Sequence, residues 1–267
     1  MGLLGDRSLG FVLENVARPA NYRALAAAPL RYRRPVDALG RYFLGRGDYP
    51  ARIDVRTPTG DLHPTVYSAH DAITVHEMFC RQDYAAGADL GAVVDIGSNI
   101  GLSALYFLSR NTTSRCYLFE PVPTNVERLR ANLAGYEDRW TLEEAAVADR
   151  SGTLPFAVES TGRYGGLDMD SAEHIDVRVL HVNDVLRSVL EREPVIDLLK
   201  LDTEGAEAST VRAIDADNLA RIRRIVCEDE ADEIRLPGWR RSFSCQTTTL
   251  TNPDAPSRSA PRSSRGG

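Results

Sequence analysis

The sequence predicts an α/β chain on a mostly parallel sheet, and three observations carry that reading. From about Ala92 onward, short apolar runs alternate with segments of helical spacing, the pattern of parallel strands joined by right-handed crossovers. The chain has 267 residues, enough to bury a core that needs neither disulfides nor metals. Its composition, 43% apolar and 26% charged, is ordinary for a globular protein and excludes a wholly disordered or fibrous one.

The elements follow in order. Residues 9–16, 22–30 and 36–44 read as short helices, punctuated by Pro19, Pro29, Pro35 and Pro50. Residues 53–56 and 63–67, around Thr57-Pro58-Thr59-Gly60-Asp61, read as a β-hairpin. A helix carrying Ile73, Val75, Met78 and Phe79 leads into the main domain. There, strands are expected at 93–96, 116–119, 142–148, 198–201 and 222–227, with helices at 102–109, 125–136, 182–190 and 206–214 between them. Residues 153–158 and 175–180 read as an added β-excursion. Beyond Glu230 no pair of strands is legible, so a C-terminal hairpin reads as missing; residues 246–267, rich in Thr, Ser, Pro, Arg, Asn and Gly, are expected to be disordered. This gives an N-terminal part over 1–70, a main domain over 71–232 and an atypical tail over 233–267.

Charge and targeting narrow the function. The net charge of −6 argues against a nucleic-acid partner or a general membrane binder. Lys200 is the only lysine, so 31 of the 32 basic residues are arginine. The four cysteines (Cys80, Cys116, Cys227, Cys245) form no C-x-x-C pair and read as reduced core thiols. No apolar run approaches the roughly 18–20 residues that span a bilayer. No secretory or acylation signal opens the chain, and the expected location is cytoplasmic.

Two motifs carry chemistry. In Val93-Val94-Asp95-Ile96-Gly97-Ser98-Asn99-Ile100-Gly101 a strand ends, the chain turns on glycine, and an apolar helix starts. Glycine there lets a ligand approach the backbone, and a helix N-terminus offers free N–H groups. Glu120, at the end of the next strand, stands where a carboxylate hydrogen-bonds ribose hydroxyls. The spacing is D-x-G-x-x-x-G rather than the G-x-G-x-x-G of a dinucleotide site, which argues against a nicotinamide-dependent oxidoreductase. An aspartate before the first glycine suits a ligand with an ammonium and a sulfonium, S-adenosylmethionine (SAM). The plainer alternative is a tight strand–helix turn with Asp95 as its cap.

The second motif, Leu198-Leu199-Lys200-Leu201-Asp202-Thr203-Glu204-Gly205-Ala206-Glu207, ends an apolar strand in carboxylates around a glycine turn. This strand is expected beside the first, so Asp202 and Glu204 would share its crevice. Such acids can hold a cationic donor, take a proton from a hydroxyl, or bind a divalent ion. Alternatively Asp202 is a cap, and Glu204 and Glu207 are first-turn acids of a helix. His63, His70, His76, His174 and His181 show no ligand spacing, and no metal site is assigned.

These motifs resemble, in order, those of the FkbM-type SAM-dependent methyltransferases, a branch of the class I methyltransferases. The matching segments are VVDIGSNIGLSALYFLSR (93–110), FEPVPTNVERLRANL (119–133), EEAAVADRSG (143–152), STGRYGG (160–166), LLKLDTEGAEASTVRAI (198–214) and, more loosely, IRRIVCEDE (222–230). The resemblance implies a Rossmann-like three-layer sandwich that methylates a hydroxyl on a sugar, polyketide or related metabolite, a small-molecule or glycan acceptor. It implies a donor loop of Asp95, Gly97, Ser98, Asn99 and Gly101, with Glu120 on the ribose and Ala146 and Val147 bordering the adenine. It places Lys200, Asp202 and Glu204 toward the methyl group, with Asp202 as base or orienting group, and Tyr164 either on the acceptor side or in a mere turn. A SAM-binding module that has lost catalysis is the alternative that a missing hairpin motivates, and an open sheet edge would favour an oligomer.

Overall fold

The computed structural model describes residues 19–158, 165–166, 174–203, 205–228, 233–244 and 247–256. The expected helix at 9–16 and Tyr164, Glu204 and Cys245 lie outside them. The N-terminal part opens with α1 (Pro19–Arg31) and α2 (Pro35–Leu44). Four short strands follow: β1 (Ala51–Arg52), β2 (Val55–Thr57), β3 (Gly60–Leu62) and β4 (Thr65–Val66). Strand β2 pairs antiparallel with β3 and β1 with β4, so the expected hairpin is present and interrupted midway. Helix α3 (Ala69–His76) starts at a capping box, where Ser68 Oγ accepts from the Asp71 N–H and the Asp71 carboxylate accepts from the Ser68 N–H. It runs into a π-turn over Glu77–Arg81 that ends at Gln82, a non-glycine residue at φ 60°.

The main domain alternates strand and helix: β5 (Ala92–Ile96), α4 (Leu102–Leu108), β6 (Arg115–Phe119), α5 (Pro123–Asn132) and β7 (Trp140–Glu143). Next come β8 (Ala146–Ala148), β9 (Gly152–Val158), β10 (Gly165–Gly166), β11 (His174–His181) and α6 (Val182–Leu190). The chain then forms β12 (Leu198–Leu201), α7 (Glu207–Ala213), α8 (Ala216–Leu219), β13 (Arg224–Glu228), β14 (Arg240–Ser244) and β15 (Thr247–Thr251). The large sheet has the order β14-β15-β13-β12-β5-β6-β7. From β13 to β7 neighbours are parallel; β15 is antiparallel to both β13 and β14.

Four expectations are corrected. The sheet is mixed, not mostly parallel, because its last two strands form a hairpin. That hairpin is not missing, and residues 247–251 are not disordered: β15 lies between β13 and β14, with Thr247, Thr248 and Leu250 buried. Threonine is β-branched and fits a pleated surface, so a strand forms from residues that read as a polar tail. The outer edge of β13, whose exposure would favour a partner subunit, is paired. The expected third strand at 142–148 is two strands: β7 closes the large sheet, the chain breaks at Glu144 and Ala145, and β8 joins β11 in a second sheet of order β10-β9-β11-β8.

Alternation along the parallel strands sorts the core into two faces. Val93, Leu118, Leu198 and Val226 pack against the N-terminal part, α4 and α5. Val94, Ile96, Phe119, Leu199, Leu201 and Ile225 pack against α6 and α7. Strands buried on both faces are nearly continuous apolar runs, which is why they were legible. Among the described residues no helix is long and apolar enough to cross a membrane.

Candidate active site

The register that pairs β5 with β12 sets Asp95 directly opposite Lys200. Both belong to the same face as Val93 and Leu198, the face that the N-terminal part covers. Asp95 is fully buried; its Oδ1 is 2.9 Å from Lys200 Nζ, and its Oδ2 accepts from Ser103 Oγ of α4 at 2.6 Å. Lys200 is 2% exposed, donates to the Gly97 carbonyl at 2.9 Å and lies 3.4 Å from Asp202 Oδ2. Burial opposes its charge, but the carboxylates of Asp95 and Asp202 outweigh that and raise its pKa above the ordinary lysine value. One ammonium therefore ties together the ends of both strands and the loop that follows β5.

The glycine loop after β5 is built by backbone geometry. Gly97 is at φ 76°, and a Cβ there would sit 1.9 Å from the Asp202 carbonyl oxygen, so the two motifs touch where only glycine fits. The Gly97 and Ser98 N–H groups both donate to the Phe119 carbonyl. Ser98 Oγ donates to the Asp95 carbonyl and accepts from the Phe119 N–H, so this side chain is spent inside the protein. Asn99 is left-handed at φ 47°, and its N–H donates to Glu120 Oε2 at 2.9 Å. Gly101, at φ 83°, starts α4 beside Leu129.

Glu120 is buried. Its Oε1 accepts from the Val122 N–H at 3.0 Å and from Asn125 Nδ2 at 3.3 Å. Burial pushes its carboxyl up to about 7, against the lowering effect of these bonds. Because an ionised carboxylate oxygen has about two acceptor positions, Oε2 retains one beyond its bond to Asn99. Ala146 and Val147 lie on β8, in the second sheet. Ala146 packs with Val122, just after Glu120, and Val147 joins the core cluster that holds Ile96 and Phe119. The structure thus brings Asp95, Gly97, Ser98, Asn99, Gly101, Glu120, Lys200 and Asp202 to one end of the sheet. Glu204 is not described there.

Glu207 is the first-turn acid of α7 that the sequence suggests, and it accepts from the Thr203 and Gly205 N–H groups at 2.6 and 2.9 Å, closing the loop after β12. Several other residues of this region were not read from the sequence. Asn132 donates to the Ile100 carbonyl and exchanges bonds with the Thr65 backbone, pinning the glycine loop to β4. Tyr84, buried, places its ring 5.7 Å from Lys200 Nζ. Its hydroxyl is pushed well above the ordinary tyrosine pKa by burial, then by the charges of Asp202, Glu228, Asp83 and Glu77. Glu77 and Asp83 share Arg81, a feature that sequence spacing shows only as an i,i+4 ion pair. Around Lys200 and Arg81 the carboxylates of Asp95, Asp202, Glu77 and Asp83 outnumber the cations two to one. This excess of acidic groups beside a glycine-built loop disfavours a pyrophosphate. Among the described residues no group of three or more His, Cys, Asp or Glu is arranged to hold a metal ion.

A mixed α/β sheet with flanking helices, and two acidic motifs meeting at the carboxyl ends of adjacent parallel strands, define a methyltransferase-like nucleoside-binding chain. Residues 95–243 match the family model described as the methyltransferase FkbM domain, more than half of the chain. The chain belongs to this family of FkbM-like methyltransferases, whose fold binds SAM. It is 29% identical over 222 residues to the AMB antimetabolite synthetase AmbE of Pseudomonas aeruginosa, covering 66% of this chain and 10% of that protein. It is 29% identical to methyltransferase sdnD of Sordaria araneosa, over 51% of this chain and 65% of that one. To the 31-O-demethyl-FK506 methyltransferase FkbM of Streptomyces tacrolimicus it is 26% identical, over 65% of this chain and 80% of that one. The matched region thus spans a tenth of the synthetase and just under two thirds of sdnD. The crystal structure of methyltransferase FkbM from Methylobacillus flagellatus superposes with a TM-score of 0.43 at 13% identity, covering 68% of this chain and 54% of that one.

Proposed function

We propose that this chain transfers a methyl group from SAM to a hydroxyl oxygen of a small-molecule or glycan acceptor, such as a sugar, a polyketide or a related metabolite. The observation that carries this reading is the β5–β12 junction, where Asp95, Gly97, Lys200 and Asp202 are held together beside Glu120. The family relationship and a relative named as an O-demethyl-FK506 methyltransferase support it. In this reading Gly97, Asn99 and Gly101 line the donor, Asp95 and Ser98 hold the loop, and Glu120 accepts from the ribose through Oε2. Ala146 and Val147 border the adenine. Lys200 positions Asp202, whose carboxylate, 32% exposed, orients the acceptor hydroxyl; Glu204 tunes that carboxylate.

When bound, the donor supplies an electrophilic methyl on a sulfonium, and the protein contributes alignment and a negative surround. Asp202→Asn is expected to leave SAM affinity within a few-fold while turnover falls about 100-fold. The assay is transfer of labelled methyl from SAM into cell extracts, with the product identified by mass spectrometry; no labelled product despite SAM binding would overturn the reading. The alternative of a SAM-binding module that has lost catalysis drew on a missing hairpin, and β14 and β15 remove that ground.

A further inference from the structure

Asp95, Lys200 and Asp202 occupy the sheet face covered by the N-terminal part, so one wall of their crevice comes from residues before the family-matched segment. That wall is the π-turn Glu77–Arg81 with Tyr84. Phe79 packs edge-on against Tyr106 of α4 at 5.5 Å, which fixes the turn over the helix that follows the donor loop. π-Turns inside helices redirect side chains and recur at functional sites. Tyr84 sets its ring beside Lys200, and Glu77 stands within electrostatic reach of both Tyr84 and Asp202.

Glu77 differs from Asp202 in what already holds it. Its Oε1 accepts from Arg81 Nη2 at 2.9 Å, but Arg81 also gives Nε to Asp83 at 2.6 Å and bonds Asp83 Oδ2 through Nη2. Glu77 Oε2 has no protein partner among the described residues, and the side chain is 28% exposed. Asp202 lies against an ammonium whose charge the Asp95 and Asp202 carboxylates hold against the cost of burial.

We propose that Glu77 faces the transferable methyl and receives the acceptor's proton; this rests on the methyl-transfer reading above. The acceptor oxygen bonds to the methyl carbon as the carbon–sulfur bond breaks, and that electron pair stays on sulfur. The hydroxyl proton passes to Glu77 Oε2, leaving a methyl ether and neutral S-adenosylhomocysteine, and Glu77 then releases the proton to solvent. Burial pushes the Glu77 carboxyl up to about 7, with Asp83 and Asp202 adding to the rise and Arg81 opposing it, which makes it a competent base near neutral pH.

The test is calorimetry of the full chain with SAM and with S-adenosylhomocysteine, at about pH 6 and about pH 8.5, for wild type and Glu77→Gln. The two nucleosides differ in charge at sulfur, while Glu120 acts on the ribose they share, so the affinity ratio isolates groups beside the sulfonium. In the wild type the SAM preference is expected to rise about fivefold with pH as Glu77 ionises; in Glu77→Gln it stays flat. With the acceptor recovered by the labelled-methyl assay, Glu77→Gln, which keeps an oxygen for Arg81, is expected to lose about 100-fold in turnover. A wild-type ratio independent of pH overturns the proposal even where the variant fails to fold, and so does undiminished turnover in a folded variant. Failure of both nucleosides to bind overturns the methyl-transfer reading, and this assignment with it.

Discussion

On the sheet side of the crevice, Asp95 and Asp202 share Lys200; on the N-terminal side, Glu77 and Asp83 share Arg81. The two arrangements use their cations differently. Lys200 is a point charge that reaches Asp95 and the Gly97 carbonyl at the end of β5 and Asp202 just beyond β12, joining two pieces of chain about a hundred residues apart. Arg81 spreads its planar fork over two carboxylates within six residues of one another. A compact ammonium can sit at a three-way junction where a guanidinium cannot, which gives a physical reason for one lysine in a chain of arginines. The sheet side is a rigid junction that holds the donor loop, whereas the N-terminal side is a local clasp that leaves one carboxylate oxygen for chemistry.

The largest effect is expected at the junction itself. Lys200→Met leaves Asp95 buried without a cation and is expected to cost about 3–5 kcal/mol in a denaturant titration at neutral pH. Asp95→Asn combined with Lys200→Met should recover part of that loss, since the stranded charge is then gone. Gly97→Ala is expected to cost about 3 kcal/mol and to abolish SAM binding, because the added Cβ meets the Asp202 carbonyl in a left-handed conformation.

Two buried groups should also answer pH with opposite slopes. His76, at the end of α3, is buried between Tyr42 and Tyr32, and burial, then Arg81, lowers its pKa to about 4. The unfolded chain takes up that proton first, so stability is full above about pH 6.5 and falls toward pH 4, by about 3 kcal/mol. Glu120, held up at about 7, binds its proton more tightly when folded. Its contribution is full below the unfolded value of about 4.5 and is lost as pH rises through 7, by about 3 kcal/mol. Denaturant midpoints measured against pH for His76→Gln and Glu120→Gln should each flatten one of these slopes. A smaller effect is expected far from both walls: Asn252→Ala removes bonds to the Leu219 and Ile222 carbonyls and should cost about 1–2 kcal/mol.

The same contrast explains what the sequence disclosed. The donor loop, Glu120 and the Lys200–Asp202 strand are local strings of residues whose spacing reports their geometry, and all of them lie at one sheet end. The pairing of β5 with β12 followed from strand–helix alternation. Ser103, Asn132, Tyr84 and Glu77 reach the same place only through tertiary packing, and no spacing rule brings residue 77 to residue 202. The split of β7 from β8 was hidden because Glu144 and Ala145 carry no turn residue. The hairpin at 240–251 was hidden because its strands are polar: Leu250 is the only large apolar side chain that β15 buries, against Ile225 and the inner face of the sheet.

The central claim is that the β5–β12 junction and Glu120 form one SAM site, and calorimetry tests it most directly. SAM titrated into the wild-type chain and into Glu120→Ala should give saturable one-to-one binding in the first and at least about tenfold weaker binding in the second, from loss of a charged hydrogen bond to ribose. No binding by the wild type, or equal affinity in the two proteins, would contradict the account.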